Sequence, residues 1–248
     1  MTIRRPQMLG ALSLMAVLVM LTTSGCAVWR IKQSVDLARQ SEPYQATPAG
    51  ATASLLVVGD STAVGTGAST SSDSVAGLIA REHPRLKIVN RARDGAKFSD
   101  IVAQLGGDER FDAILVLGGG NDVIRFTGDA LLEQDIARAA EIARTRARLV
   151  VFMPSGNVGS APFFFAPWSW LMTKRSRTLH QFVRQAAADN GALYVNLFKE
   201  KADDPFAQRP DELNARDGLH PSDAGYRIWY DALNSQADFS RRLSAFGG

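Results

Sequence analysis

Cysteine is almost absent: Cys26 is the only one in 248 residues, which excludes an intramolecular disulfide and a cysteine-based metal centre. Histidine is nearly as scarce, so an imidazole base has three candidates, His83, His180 and His220. Net charge is small as well. The formal value is +3, and Arg4 and Arg5 fall in a stretch, 1–25, that holds no acid, so the remainder carries 3 − 2 = +1. With no basic run and no aromatic–basic motif, nothing in this balance argues for nucleic acid, and no nucleic-acid partner is expected. No Gly-x-Ser-x-Gly elbow is present, which argues against the larger α/β-hydrolase fold. The glycine-containing stretch from Gly59 to Gly67 lacks a Gly-Lys-Ser/Thr ending, so it is not a phosphate loop.

Charge is missing altogether from Met8 to Trp29. An apolar run behind Arg4 and Arg5 has the layout of a secretory signal, and Thr23-Ser24-Gly25-Cys26 resembles the lipobox of bacterial lipoproteins, with Thr23 where that pattern usually has Leu. Cleavage before Cys26 leaves a lipidated N-terminus. An uncleaved anchor is the rival reading, since 22 uncharged residues are about enough to cross a bilayer as a helix, and secretion as a free protein is a third. The first two place the chain in the cell envelope, outside the cytoplasm and tethered to a membrane. Residues 1–29 are thus read as signal or anchor. Residues 30–53 read as a linker in which Ile31 to Leu37 forms a short helix, because Ser41 to Ala53 is small, polar and proline-containing.

The remaining segment, 54–248, has the size of one α/β domain. Short apolar runs alternate with longer amphipathic stretches, the pattern of a parallel sheet covered by helices. Strands are expected at Leu55–Val58, Leu86–Asn90, Ala113–Leu117, Leu149–Met153 and Leu193–Leu197. Helices are expected at Ser74–Arg81, Phe98–Leu105, Leu131–Arg146, Lys174–Asp189 and Ser222–Ser235, the last with Ser222 as N-cap. This order predicts a flavodoxin-like three-layer α/β/α sandwich with a central, mostly parallel five-stranded sheet, in which ligands bind beyond the carboxyl ends of the strands.

Four short motifs fall where that rule wants them. Gly59-Asp60-Ser61 follows strand one, Gly95 lies beyond strand two, Gly119-Gly120-Asn121-Asp122 follows strand three, and Asp217-Gly218-Leu219-His220 precedes the last helix. Taken singly, each is an ordinary turn or cap. Together they hold a serine nucleophile, a histidine base and a carboxylate three residues before it, the inventory needed to cleave an ester through an acyl-serine. His83, before Pro84 at a helix end, and His180, in mid-helix, read as solvated surface, which leaves His220 as the base and Asp217 as its orienting acid. The set resembles the SGNH (GDSL-type) hydrolase superfamily over Leu55 to about Tyr230. The resemblance implies a catalytic triad of Ser61, Asp217 and His220. It also implies an oxyanion hole made by the N–H of Ser61, the N–H of Gly95 and the side-chain amide of Asn121. Asp60 and Asp122 are expected to hydrogen-bond loop backbone, and Arg93, Asp94 and Arg125 to be exposed surface charge.

No cofactor and no metal is expected, because the only His–carboxylate pair is already used. The expected partner is a small-molecule or saccharide ester. The same acyl-serine also suits an acyltransferase that delivers to or from envelope sugars, and a non-catalytic binding module is the remaining class. One segment stays unassigned. Ser160 to Met172 gathers Phe163, Phe164, Phe165, Trp168 and Trp170 between prolines, which excludes a regular strand or long helix there. It reads as extra core, as the wall of an acyl pocket, or as a surface that dips into the membrane.

Overall fold

A computed structural model describes residues 28–247; Cys26 and the apolar run before it lie outside the described residues. Five strands make the sheet: β1 (Ala53–Gly59), β2 (Leu86–Asn90), β3 (Phe111–Gly118), β4 (Ala147–Pro154) and β5 (Leu193–Tyr194). The helices are α1 (28–40), α2 (Ser61–Val64), α3 (Val75–Glu82), α4 (Phe98–Gln104), α5 (Gly120–Ile124), α6 (Asp129–Arg146), α7 (Trp168–Asp189), α8 (Pro205–Gln208), α9 (Pro210–Leu213), α10 (Asp223–Ala237) and α11 (Phe239–Ser244). Every strand pairing is parallel and the order is β2-β1-β3-β4-β5, the flavodoxin-like order expected from sequence.

Strand alternation sorts the core into two layers. Leu55 and Val57 of β1, Leu115 and Leu117 of β3 and Val151 of β4 face one side, where they meet Ile79 of α3, Tyr226 and Leu233 of α10 and Phe239 of α11. Leu56, Val58, Ile114, Val116 and Phe152 face the other, against Ile101 of α4, Ile136 of α6 and Leu179 and Val183 of α7. Because both faces are covered, the central strands read as unbroken apolar runs instead of alternating ones. Gly59 ends β1 for a steric reason. At φ +154 a Cβ there would stand 1.7 Å from the Leu117 carbonyl oxygen, so only glycine lets the chain turn from β1 into α2 against β3.

Three expectations need correction. The stretch 30–53 is not a free linker. Its helical part runs over 28–40, longer than Ile31–Leu37, since no glycine or proline interrupts it. Beyond it, the chain lies along β2, an edge strand with unpaired backbone groups. Ala46 bridges Ile88 in both directions at 3.1 and 2.8 Å, and the Gln45 amide pairs with the backbone of Asn90 through bonds of 2.6 and 2.9 Å. Covering an open edge in this way satisfies its donors and acceptors.

Strand five is shorter than Leu193–Leu197. After Tyr194 the side chain of Asn196 accepts the Phe198 N–H at 3.0 Å, an Asx-type turn that leads the chain off the sheet. Finally, α7 begins at Trp168, six residues before Lys174, with Pro167 as the last residue outside it. A proline at a helix start leaves no interior hydrogen bond unmade, so the aromatic segment supplies the first turn of a long helix.

Candidate active site

Each motif becomes a helix start or a loop at the carboxyl edge of the sheet. Asp60 is the N-cap of α2: its Oδ1 accepts the Thr62 N–H at 2.9 Å and the Thr62 hydroxyl at 2.7 Å. Its Oδ2 accepts the Gly120 N–H at 3.3 Å, which ties the β1 turn to the β3 turn. Burial raises the pKa of this carboxyl, which is 1% exposed, and the Thr62 bonds pull against that rise. Asp122 likewise accepts a backbone amide, that of Phe98, at 2.9 Å. Ser61 therefore stands at the first position of α2, where backbone N–H groups have no intrahelical acceptor.

Ser61 Oγ lies 2.9 Å from His220 Nε2, and His220 Nδ1 lies 2.6 Å from Asp217 Oδ2. Asp217, 1% exposed, is fully engaged: Oδ1 accepts the N–H groups of Leu219 and His220 at 3.0 and 3.1 Å. Oδ2 also accepts the hydroxyl of Ser34 at 2.7 Å. Burial alone would raise this carboxyl; the His220 hydrogen bond and charge, with Ser34 and Leu219, overcome it and hold the group at about 2. Asp217 is thus ionised across neutral pH, and its contact with Nδ1 selects the tautomer that leaves Nε2 free to accept from Ser61.

Ser61, Gly95, Asn121 and His220 line one cavity of about 390 Å³. Gly95 lines it from a left-handed turn, φ +76, a backbone that favours glycine. Asn121 is the second residue of α5, and its side-chain amide has no hydrogen-bond partner among the described residues. Val158, Ala161, Leu197, Phe206 and Trp229 supply apolar wall, and Asp94 and Arg125 stand at the mouth. The latter pair are exposed, as expected, but they also edge the cavity; Arg93 does not. Among the described residues there is no cluster of three or more metal-ligating side chains and no helix long and apolar enough to cross a membrane.

His83 and His180 depart from the solvated reading. His83 is half-buried against Ser240, at 3.2 Å. His180 is buried within α7, with Nδ1 2.6 Å from the Tyr194 hydroxyl and Nε2 2.8 Å from the Ser155 carbonyl. Its Nε2–H donates to that carbonyl, which fixes a loop whose Ser155, Gly156 and Asn157 line the cavity. Burial lowers the His180 pKa to about 4 from an ordinary 6.5. Above pH 6.5 the imidazole is neutral in both folded and unfolded chains, so its contribution to stability is complete. As the pH falls toward 4 only the unfolded chain takes up the proton, and about 3 kcal/mol is lost. His180→Gln should therefore flatten the fall in melting temperature between pH 6.5 and 4. Equal slopes in the two proteins would remove His180 from that role.

The aromatic rings of the segment 160–172 do not wall the cavity. Ala161 reaches it, whereas Phe164 packs into the core beside α7 and Phe165, Trp168 and Trp170 are exposed, Trp170 by 71%. The proline turn and the helix start direct these rings outward. Sequence reasoning also missed Ser34, Val35 and Ala38, three residues of α1 that line the cavity. No local pattern signals a contact between positions 183 residues apart.

The model of the GDSL-like Lipase/Acylhydrolase family matches residues 57–228. A curated relative, a GDSL-like esterase of Mycobacterium tuberculosis, is 27% identical over 190 residues. That alignment takes in 72% of this chain, and the chain spans about 60% of the length of that relative. Two solved structures share the fold. One is an alpha/beta hydrolase enzyme from the metagenome of Lake Arreo, Spain, with a TM-score of 0.60 at 20% identity, covering 76% of this chain and 96% of that one. The other is a member of the lipolytic protein G-D-S-L family from Veillonella parvula, with a TM-score of 0.58 at 14% identity, covering 73% and 96%.

Proposed function

The chain belongs to the GDSL-like lipase/acylhydrolase family, and on that premise we propose that it hydrolyses carboxylic esters through an acyl-serine intermediate at Ser61. The observation that carries this reading is the contact chain from Ser61 Oγ through His220 to a buried, ionised Asp217, opening on an apolar-walled cavity. In the first half-reaction Ser61 Oγ attacks the ester carbonyl while His220 Nε2 takes the hydroxyl proton. The imidazolium so formed is stabilised by Asp217. Negative charge gathers on the carbonyl oxygen, where the N–H of Ser61, the N–H of Gly95 and the amide of Asn121 receive it. Collapse of the tetrahedral intermediate breaks the C–O bond, and His220 returns the proton to the departing alcohol. Water then repeats the sequence with His220 as base, releasing the acid and Ser61.

An acyltransferase differs only in the acceptor of that second half-reaction. Product analysis with nitrophenyl esters of graded length and acetylated polysaccharides, with and without a sugar acceptor, tests the assignment. Free acid as the product in both conditions is expected. Acyl transfer to the sugar as the main product would replace the hydrolase reading with the transferase one.

We also propose that the chain works in the cell envelope, held to a membrane by the segment that ends at Trp29. The uncharged run from Met8, the lipobox-like stretch at Cys26 and the exposure of Trp29, Phe165, Trp168 and Trp170 support it. If Cys26 is lipidated, mass spectrometry of the membrane fraction should find a mature protein that begins at Cys26 and carries acyl chains, with Cys26→Ser blocking the processing. An intact N-terminus in that fraction would assign the uncleaved anchor instead, and recovery only as free protein would overturn the tether.

A further inference from the structure

The family match begins at residue 57, yet one side of the cavity is built by chain that precedes it. Ser34 and Val35 of α1 stand four and three positions before Ala38, which puts both on the helical face of Ala38, and all three line the cavity that holds Ser61 and His220. Two contacts fasten that face. The Ser34 hydroxyl donates to Asp217 Oδ2 at 2.7 Å. One turn earlier, the Arg30 guanidinium donates to the Pro162 carbonyl and lies 5.0 Å from the centroid of the Phe165 ring. The chain beyond α1 is held along β2 by Gln45 and Ala46, so chain on both sides of Ser34 is tied to the domain. Val35 lines the cavity and is 43% exposed, outside both layers of the core, so bulk added at 35 does not displace core side chains.

We propose that α1 is a specificity wall of the active site: Val35 and Ala38 limit the alkyl chain an ester can carry, and Ser34 is the positioning residue that locks the wall to Asp217. The inference rests on the ester-hydrolase reading above. Its ligand chemistry is an extended alkyl group beside the scissile carbonyl, in either the acyl half or the alcohol half of the ester. Apolar side chains on one side of a cavity reward chain length only as far as they extend, so bulk placed at 35 or 38 shortens the accepted chain. The arrangement also makes the register of α1 and the seating of the acid one event. Oδ2 carries both the imidazole and the Ser34 hydroxyl, so displacement of the helix removes one of its two donors.

The test uses the full chain and two substrate series, nitrophenyl esters graded from acetyl to decanoyl and alkyl acetates graded from methyl to decyl. In Val35→Trp and Ala38→Phe the ratio of kcat/KM for the longest to the shortest substrate should fall roughly tenfold or more in one series. The responding series identifies the half of the ester that lies against α1. Lys32→Trp, which places the same indole at an exposed position outside the cavity, should leave the ratio as in the parent chain. Ser34→Ala should lower kcat on the short ester roughly tenfold with a smaller change in KM, and Ser34→Thr should restore it. Active-site titration with a serine-directed phosphonate corrects each rate for the fraction of folded sites. An unchanged ratio in both series, or an equal fall at every chain length, overturns the wall. Unchanged kcat in Ser34→Ala overturns the positioning role. Failure of the underlying reading looks different, because Ser61→Ala would then keep its turnover whatever the variants of α1 do.

Discussion

Asp217→Asn is expected to lower kcat by about 10⁴-fold while leaving the fold and most of KM in place. The side chains are isosteric, so the change acts through chemistry. Asp217 Oδ2 accepts from His220 Nδ1 at 2.6 Å; an amide nitrogen at that position donates instead and turns the imidazole to the tautomer whose Nε2 carries a proton. That nitrogen can then no longer accept from Ser61 Oγ, 2.9 Å away. The loss of negative charge also removes the stabilisation of the imidazolium. Steady-state kinetics on a short nitrophenyl ester, with circular dichroism as the check on folding, measures the effect. Retention of more than a tenth of the parent kcat would show that Asp217 does not orient the base.

Asn121→Ala should lower kcat by roughly 10²- to 10³-fold, with a much smaller effect on KM. The side-chain amide has no competing partner among the described residues and faces the cavity beside Gly95 and Ser61, so its hydrogen bond strengthens as charge builds on the substrate oxygen. Truncation at a half-buried position on a short helix removes little packing. An equal rise in KM at constant kcat would make Asn121 a ground-state binding residue and take it out of the oxyanion hole.

The sheet was legible because its central strands are buried on both faces. Leu55 to Val58 and Ala113 to Leu117 carry no polar residue, and that run ends each time in a glycine-containing turn. Motif residues separated by up to 159 positions meet around one cavity because parallel strands deliver all their carboxyl ends to one edge. Edges were harder to read. The length of β5 was decided by the side chain of Asn196, and the path of residues 41–52 by unpaired groups on β2, neither of which periodicity records. His180 was partly visible: it shares the α7 stripe of Met172, Ser176, Leu179 and Val183, and helical spacing alone marks that stripe as buried. The contact of Ser34 with Asp217 left no trace in the sequence, since it depends on how a helix outside the family-matched region docks.

The most direct test of the central claim is covalent trapping at Ser61. The intact chain is treated with a serine-directed phosphonate ester, and peptide mass spectrometry locates the adduct while esterase activity is followed in parallel. The proposed mechanism predicts one adduct per chain, on the peptide that contains Ser61, formed at the rate at which activity is lost and absent from Ser61→Ala. An adduct on another residue, or ester turnover that persists in fully labelled protein or in Ser61→Ala, would contradict it.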